Sequence, residues 1–158
     1  MQNITPMLWY NGNADDALKL YTSVFKDSKV NSEARYPKGA PMPEGTLMTA
    51  SVILNGQEFL LLNAGPEFKF TEAVSFVINC KSQEEVDYYW NSLTANGGQE
   101  SVCGWLKDKF GLSWQVVPTR LTQLLGDKDR VKAQRAMQAM MQMKKIDIAK
   151  LEEAFNGK

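Results

Sequence analysis

The sequence contains no histidine. Histidine is the usual general base near neutral pH and a favoured ligand of zinc, iron, nickel and copper. Its absence excludes Ser-His-Asp and Cys-His catalysis, and a zinc site would need clustered cysteines instead. The two cysteines, Cys80 and Cys103, form no CxxC pair. This pattern predicts reduced thiols in a cytoplasmic protein and no metal site.

Phosphate-binding loops and long apolar runs are also missing. No glycine-rich loop, Walker lysine or Gly-x-Gly-x-x-Gly motif is present, so we predict no cofactor. The start of the chain is neither basic nor strongly apolar, and no stretch approaches the roughly 18 apolar residues of a membrane span. The formal net charge is zero, which gives no electrostatic reason to bind nucleic acid or membrane.

The 158 residues have the size and composition of one globular domain, with 44% hydrophobic and 23% charged residues. The charge is unevenly distributed, because residues 1–118 carry a formal charge of about −4 and residues 119–158 about +4. We therefore expect the tail to dock on the body or on a second copy. A nucleic-acid-binding tail is the alternative, but this tail interleaves methionine and alanine rather than aromatic residues.

Apolar periodicity predicts a first module over about residues 4–63. Strands are predicted at residues 6–10, 29–36, 46–54 and 58–63. A helix of about three turns follows Asn13, a candidate N-cap. Asn55-Gly56 is a strong signal for a tight hairpin between the last two strands.

A second module with the same order is predicted over about residues 73–117. Its strands are expected at 73–79, 100–105 and 112–117, and Ser82 is expected to cap its helix. At an offset of 69, Trp9 aligns with Ile78 and Tyr21 with Trp90, while Gly56–Phe59 aligns with Gly111–Trp114 at a different offset. The order predicts an α+β fold of two βαβββ modules in a body at 1–118.

The tail, residues 119–158, is predicted to be helical. Asp127 or Asp129 would cap a helix that runs to about Lys145, and a shorter helix would run from Asp147 to about Phe155. The first helix is rich in methionine, which suits adaptable contact surfaces. Two interpretations stay open, since the methionines could pack on their own chain or form a dimer contact.

One stretch of the body, Asp108–Gln115, is a candidate for chemistry. It begins as a turn that ends at Gly111, and the alternation that follows places Ser113 and Gln115 on one face and Trp114 on the other. The stretch could be a turn that leads into a core strand. It could also direct Gln115 into the concave interior of a curved sheet, towards a ligand.

Asp108–Gln115 also resembles the Asp-x-x-Gly signature that opens the last strand in the vicinal oxygen chelate superfamily of glyoxalases, bleomycin-resistance proteins and dioxygenases. Residues 5–14, together with Ala17, Tyr21 and Phe25, resemble its PhnB-like branch, often labelled 3-demethylubiquinone-9 3-methyltransferase. The resemblance implies paired modules that form a curved mixed sheet around a cavity, and a homodimer.

The metal-ligand positions that the resemblance implies are occupied here by poor ligands. They fall on Thr5 or Pro6, on Leu62 or Asn63, on Ser75 and on Gln115. Only Gln115 could coordinate a metal, and weakly. No glycine-rich S-adenosylmethionine loop follows any strand either. The residues therefore support neither metal-dependent glyoxalase or dioxygenase activity nor methyltransferase activity.

We therefore expect a protein that binds an unknown small molecule in the sheet cavity. One alternative is a metal-independent enzyme that uses Cys103, close to Lys107 and Lys109, or Gln115. Another is a dimeric interaction module that uses the Met-rich tail. Alternation should place some of the pocket candidates in the helix-facing core; the candidates are Thr5, Trp9, Asn63, Ser75, Phe76, Cys103, Trp105, Trp114 and Gln115.

Overall fold

A computed structural model describes residues 4–158. The described residues divide into two compact units, one that ends at residue 70 and one that comprises residues 71–158. Over the described residues the units together contain two four-stranded mixed sheets and five α-helices, which confirms the predicted α+β fold. No helix in this range is both long enough and apolar enough to span a membrane.

The first unit is a βαβββ module. Its elements are β1 (Met7–Tyr10), α1 (Ala14–Val24), β2 (Ser28–Arg35), β3 (Leu47–Leu54) and β4 (Gln57–Asn63). The sheet order is β1-β4-β3-β2, and β1 runs parallel to β4. The predicted hairpin turn joins β3 to β4, and both of its residues have positive φ (47° at Asn55 and 85° at Gly56). Positive φ at both positions fits the right-handed twist of the two strands.

Helix α1 covers one face of the first sheet. Its buried stripe includes Ala17, Leu18 and Tyr21, at the spacing of one helical face. The Tyr10 hydroxyl lies 3.0 Å from the Tyr21 hydroxyl, which joins the strand and the helix within the core. The apolar pattern of the sequence therefore places the helix as predicted.

The second unit repeats this topology. Its sheet elements are β5 (Ser75–Cys80), α2 (Gln83–Thr94), β6 (Gln99–Glu100), β7 (Trp105–Lys107) and β8 (Ser113–Pro118). The order β5-β8-β7-β6 matches that of the first sheet, and β5 runs parallel to β8. The predicted cap is confirmed, since the Ser82 hydroxyl accepts a hydrogen bond from the Glu85 amide.

The internal repeat needs one correction in its first strand. The offset of 69 holds for the helices, where Tyr21 and Trp90 are both buried. It fails for β1 and β5, because Trp9 lies on the face away from α1 whereas Ile78 lies on the face packed against α2. A shift of one residue reverses the face of every side chain in a strand. An offset of 70 pairs Leu8 with Ile78 and keeps both in the core.

The strand predicted at 100–105 is two short strands, β6 and β7, separated by a turn. The two central residues of the turn have positive φ, 57° at Cys103 and 83° at Gly104. The Trp105 amide closes the turn on the Val102 carbonyl at 3.0 Å. A Cβ at Gly104 would lie 2.9 Å from the Val116 carbonyl oxygen, so glycine is required there.

The tail forms three helices, α3 (Thr119–Leu125), α4 (Arg130–Met141) and α5 (Ile148–Asn156). The prediction missed α3, which directly follows Pro118 and has no side-chain cap. Helix α4 is capped by Asp129, one of the two predicted caps, but ends at Met141 rather than near Lys145. Asp147 caps α5 as predicted.

These helices belong to the second unit and build a core of their own. Leu121, Leu124, Ala136, Ile146 and Leu151 form a buried cluster there. The methionines divide, since Met140 and Met143 pack against this cluster while Met137 and Met141 are exposed.

The tail is also bonded to the turn between β6 and β7. The amides of Cys103 and Gly104 donate hydrogen bonds to the Met143 and Lys144 carbonyls at 2.8 and 2.7 Å. Lys145 forms an ion pair with Asp87 on α2 at 2.7 Å. A basic tail segment therefore lies against acidic residues of the second module.

Candidate functional site

The second sheet has one face that α2 does not cover. Strand registers place Lys107 beside Ser113, Trp105 beside Gln115, and Ser113 beside Ser75 on this side. Phe76, Ile78, Trp114 and Val116 alternate to the other side, where α2 packs. We call the first side the open face; its residues are Ser75, Val77, Trp105, Lys107, Ser113 and Gln115.

A cavity of about 160 Å³ lies over part of the open face. Ser113 lines it and is only 1% exposed. Its hydroxyl oxygen is buried without a hydrogen-bond partner; among the buried side-chain nitrogen and oxygen atoms of residues 4–158, only the side-chain oxygen of Asn13 shares this condition. The other lining residues are Glu72, Gln99, Glu100, Ser101, Trp105, Leu106 and Lys107.

Charged side chains at the cavity form pairs. The Lys107 ammonium lies 2.5 Å from the Glu72 carboxylate, and its hydrogen bond lowers the pKa of Glu72. Glu100 accepts a hydrogen bond from the Trp90 indole at 2.9 Å, which lowers the pKa of Glu100, and its other oxygen lies 3.6 Å from Lys144. The cavity therefore combines one cation, paired carboxylates and an unpaired hydroxyl.

Gln115 lies next to Trp105 on the open face. Its amide nitrogen donates a hydrogen bond to the Ser75 hydroxyl at 2.9 Å. This bond joins β8 to β5 and fixes the amide plane. The structure therefore brings together three of the predicted pocket candidates, Ser75, Trp105 and Gln115.

Asp108 has a structural role in the Asp-x-x-Gly stretch. Its buried carboxylate accepts hydrogen bonds from the Phe110 and Leu112 amides at 2.9 and 3.1 Å. The second oxygen accepts one from the Trp114 indole at 2.9 Å. These bonds fix the turn that precedes β8.

Three pocket candidates lie on faces that helices cover. Trp114 is buried against the α2 side, and the Phe76 ring lies 5.7 Å from it. In the first unit, the fully buried Asn63 amide accepts a hydrogen bond from the Gly12 nitrogen and donates one to the Leu47 carbonyl. Strand alternation directs these side chains into the cores, so we do not place them in the cavity.

Thr5 and Trp9 lie in the first unit. Trp9 is on the face of the first sheet away from α1, where its indole donates a hydrogen bond to the Gly65 carbonyl at 2.9 Å. The Phe68 ring packs edge-on against it at 4.9 Å. Thr5 is partly buried just before β1. Neither residue lines the cavity of the second unit.

The two thiols have different surroundings. Cys103 is partly exposed in the turn before β7, and its amide is bonded to the tail. Cys80 is buried, and burial, together with the charge of Glu85, raises its pKa to about 12. Cys80 therefore has the character of a small core residue rather than of a nucleophile.

The metal positions implied by the superfamily resemblance do not fit a metal ion. Leu62 has no donor atom, and both ends of the Asn63 amide are bonded to backbone groups. Gln115 uses its amide nitrogen on Ser75, and an amide or a hydroxyl is a poor ligand without a carboxylate or imidazole beside it. No group of three His, Cys, Asp or Glu residues suited to a metal occurs between residues 4 and 158.

Sequence reasoning did not select Lys107, Glu72 or Ser113 for the pocket. Alternation placed Ser113 on the same face as Gln115, and that signal could have found it. The opposition of Lys107 to Ser113 depends on the register of β7, which the sequence does not specify. Glu72 lies in the connector before β5, where no periodicity exists.

Two βαβββ modules of identical strand order define the vicinal oxygen chelate class, the glyoxalase and bleomycin-resistance fold. Within that class, residues 2–117 match the family described as 3-demethylubiquinone-9 3-methyltransferase, and the chain belongs to this PhnB-like family. The match ends before α3, so the C-terminal helices lie outside it.

Several individual proteins are similar to this chain. A PhnB protein from Bacillus cereus is 35% identical, with a TM-score of 0.70 and coverage of 75% of this chain and 100% of its own. Protein YjdN of Escherichia coli is 24% identical and covers 72% of this chain and 92% of its own length. The fosfomycin resistance protein FosX of Mesorhizobium loti shares the fold alone, with 10% identity, a TM-score of 0.58 and coverage of 80% and 100%.

Proposed function

We propose that this protein binds a small molecule on the open face of its second sheet, without a metal. One observation carries the proposal: Ser113 lines a cavity, and its buried hydroxyl has no hydrogen-bond partner. A buried polar group without a partner costs about 1–3 kcal/mol. Sites that bind ligands commonly combine an apolar wall with a few convergent polar groups. Trp105 supplies the wall, and Lys107 and Ser113 supply polar groups.

The size of the cavity limits the ligand. A volume of about 160 Å³ is smaller than the roughly 300–1,000 Å³ of sites for drug-sized ligands. It would hold only a few water molecules at about 30 Å³ each. The ligand is therefore a molecule of few heavy atoms, or the small end of a larger molecule.

A fragment titration followed by protein NMR tests this proposal. We expect small polar aromatic compounds to shift the resonances of Trp105, Lys107 and Ser113. Ser113→Ala should weaken binding about tenfold, since it removes one buried hydrogen bond worth about 1 kcal/mol. The same change should leave the free protein as stable or stabilise it, because the unpaired hydroxyl is lost.

Ser32→Ala on β2 of the first unit is the matched control, since this serine is exposed. It should change neither the affinity nor the NMR shifts. If no fragment shifts the open-face resonances at millimolar concentration, or if Ser113→Ala binds as well as the unchanged protein, the cavity is not a binding site.

A further inference from the structure

The two residues of the Lys107–Glu72 ion pair differ in setting, because Lys107 lies on a strand and Glu72 lies on a more exposed connector. Lys107 lies on β7, where the sheet register holds it opposite Ser113, and its side chain is 33% exposed. Glu72 comes from the connector that precedes β5, and its side chain is 62% exposed. An exposed ion pair contributes little to stability. Another carboxylate could therefore replace Glu72 at Lys107 at low cost.

Ser113 lies beside Lys107 and completes the arrangement. A hydroxyl that has no partner can donate a hydrogen bond, and an ammonium group offers three donors. Bonds from such donors to an ionised acceptor are short and strong. A neutral ligand could satisfy Ser113 as well, but it would leave the ammonium group with Glu72. An anion could accept from both donors at once.

Glu100 is the remaining acidic residue of the cavity wall. One of its oxygens is engaged by the Trp90 indole, and the other faces Lys144. Its charge is therefore partly compensated within the protein. The repulsion on an incoming anion comes chiefly from Glu72, the residue that such an anion would displace.

We propose that the cavity binds a small organic acid. In the free protein, the Glu72 carboxylate pairs with the Lys107 ammonium at the position where the anionic group of this ligand would bind. The carboxylate of the acid would be held by Lys107 and Ser113, and its apolar part would lie against Trp105. This inference rests on the proposed function, because it names the class of ligand for the same cavity. It makes Glu72 a competitor for the site.

Matched pairs of an acid and its amide test the inference in the full chain. Benzoate and benzamide, and acetate and acetamide as smaller probes, would be titrated at low salt with NMR detection. We expect Glu72→Gln to tighten the binding of the acids by about fivefold, because it removes the competing carboxylate. Lys107→Gln should weaken their binding by about tenfold, because it removes a charge-assisted hydrogen bond to the ligand. The amides should respond to neither change.

Glu67→Gln is the control for overall charge, since it removes one carboxylate at an exposed position of the first unit. It should change the affinities less than twofold, because solvent screens an exposed charge that does not line the cavity. If acids and amides bind equally at Ser113 and Trp105, or if Glu72→Gln leaves acid binding unchanged, this inference fails and the proposed function stands. If neither compound of either pair shifts the open-face resonances, both fail.

Discussion

Asp108 and Ser113 have different roles in the Asp-x-x-Gly stretch. Asp108 is buried, and its carboxylate accepts hydrogen bonds from the amides of the turn and from the Trp114 indole. Ser113 is equally buried, yet its hydroxyl is unpaired. Native proteins rarely leave a buried polar group unsatisfied, and each exception needs an explanation. At the residue scale, the first side chain builds the turn, and we propose that the second binds a ligand.

The two cysteines should differ in reactivity. Cys80 is fully buried with its pKa raised to about 12, so its thiolate is scarce at neutral pH, whereas Cys103 is partly exposed. We expect a thiol reagent to label one cysteine per chain in the native protein and two after unfolding. Cys103→Ser should abolish the native label.

The control for this experiment is Cys80→Ala, which should retain the native label. Equal labelling of both thiols before unfolding would contradict the burial of Cys80.

The sequence predicted some residues of the open face, but not the set of residues that line the cavity. Alternation separated Trp114 from Ser113 and Gln115, because the period of two in a strand depends only on local backbone geometry. It could not show that Asn63 is buried with both ends of its amide bonded to Gly12 and Leu47, since those partners come from distant parts of the chain.

At the scale of elements, Gln83 connects α2 to the C-terminal helices. Its amide nitrogen donates to the Ile146 carbonyl at 3.1 Å, and its oxygen accepts from the Ile148 amide at 2.9 Å. The segment between α4 and α5 therefore has two attachments. One is the Gln83 side chain, and the other is the turn that contains Cys103 and Gly104.

We predict that Gln83→Ala loosens this attachment. The two hydrogen bonds to the tail and a third to the Asp87 carboxylate are lost, each worth about 0.5–1.5 kcal/mol net, so the free energy of unfolding should fall by about 1.5–4.5 kcal/mol. Amide exchange should increase most in α5, near Leu151, because that helix begins directly after the bonds.

Gln138→Ala, at an exposed position of α4, is the matched control and should change stability by less than about 0.5 kcal/mol. An exchange pattern that is the same in both variants would show that Gln83 does not hold the tail.

Element boundaries show where local signals were insufficient. Helix α3 was missed because it starts after Pro118 without a capping side chain, so its beginning carries no sequence signature. The strand predicted at 100–105 contained Cys103, a residue type that rarely adopts positive φ. The strain of that turn is offset by its bonds to the tail, which are long-range in sequence and invisible to periodicity.

At the scale of the molecule, the basic tail and the acidic second module belong to one compact unit. The tail, residues 119–158, lies in the unit that begins at residue 71. The charge pattern indicated that the tail would dock, and ion pairs such as Lys145–Asp87 are part of that contact. Charge alone could not predict which part of the chain the tail contacts, because a net charge is attracted to any surface of opposite charge.

Carboxylates held by hydrogen bonds in the folded chain should make it sensitive to acid. Burial alone would raise the pKa of Asp15, but bonds from the Leu47 amide and from Arg35 outweigh it and lower the pKa below 3.8. Bonds from Lys145 and Gln83 lower the pKa of Asp87 in the same way. These two residues lie in different units, so both units should respond.

The sign of the effect follows from linkage. Because the folded-state pKa values of Asp15 and Asp87 lie below their unfolded values near 3.8, the unfolded chain binds more protons in that range. The stabilisation is complete above the unfolded pKa and is lost as the pH falls through the folded values. We expect the urea midpoint to be level from about pH 6 to pH 5 and to decrease below about pH 4.

The double variant Asp15→Asn with Asp87→Asn should make this decrease shallower. Asp16→Asn, at an exposed site in the same helix turn as Asp15, is the control and should not. A decrease of equal steepness in the double variant would assign the acid sensitivity to other carboxylates.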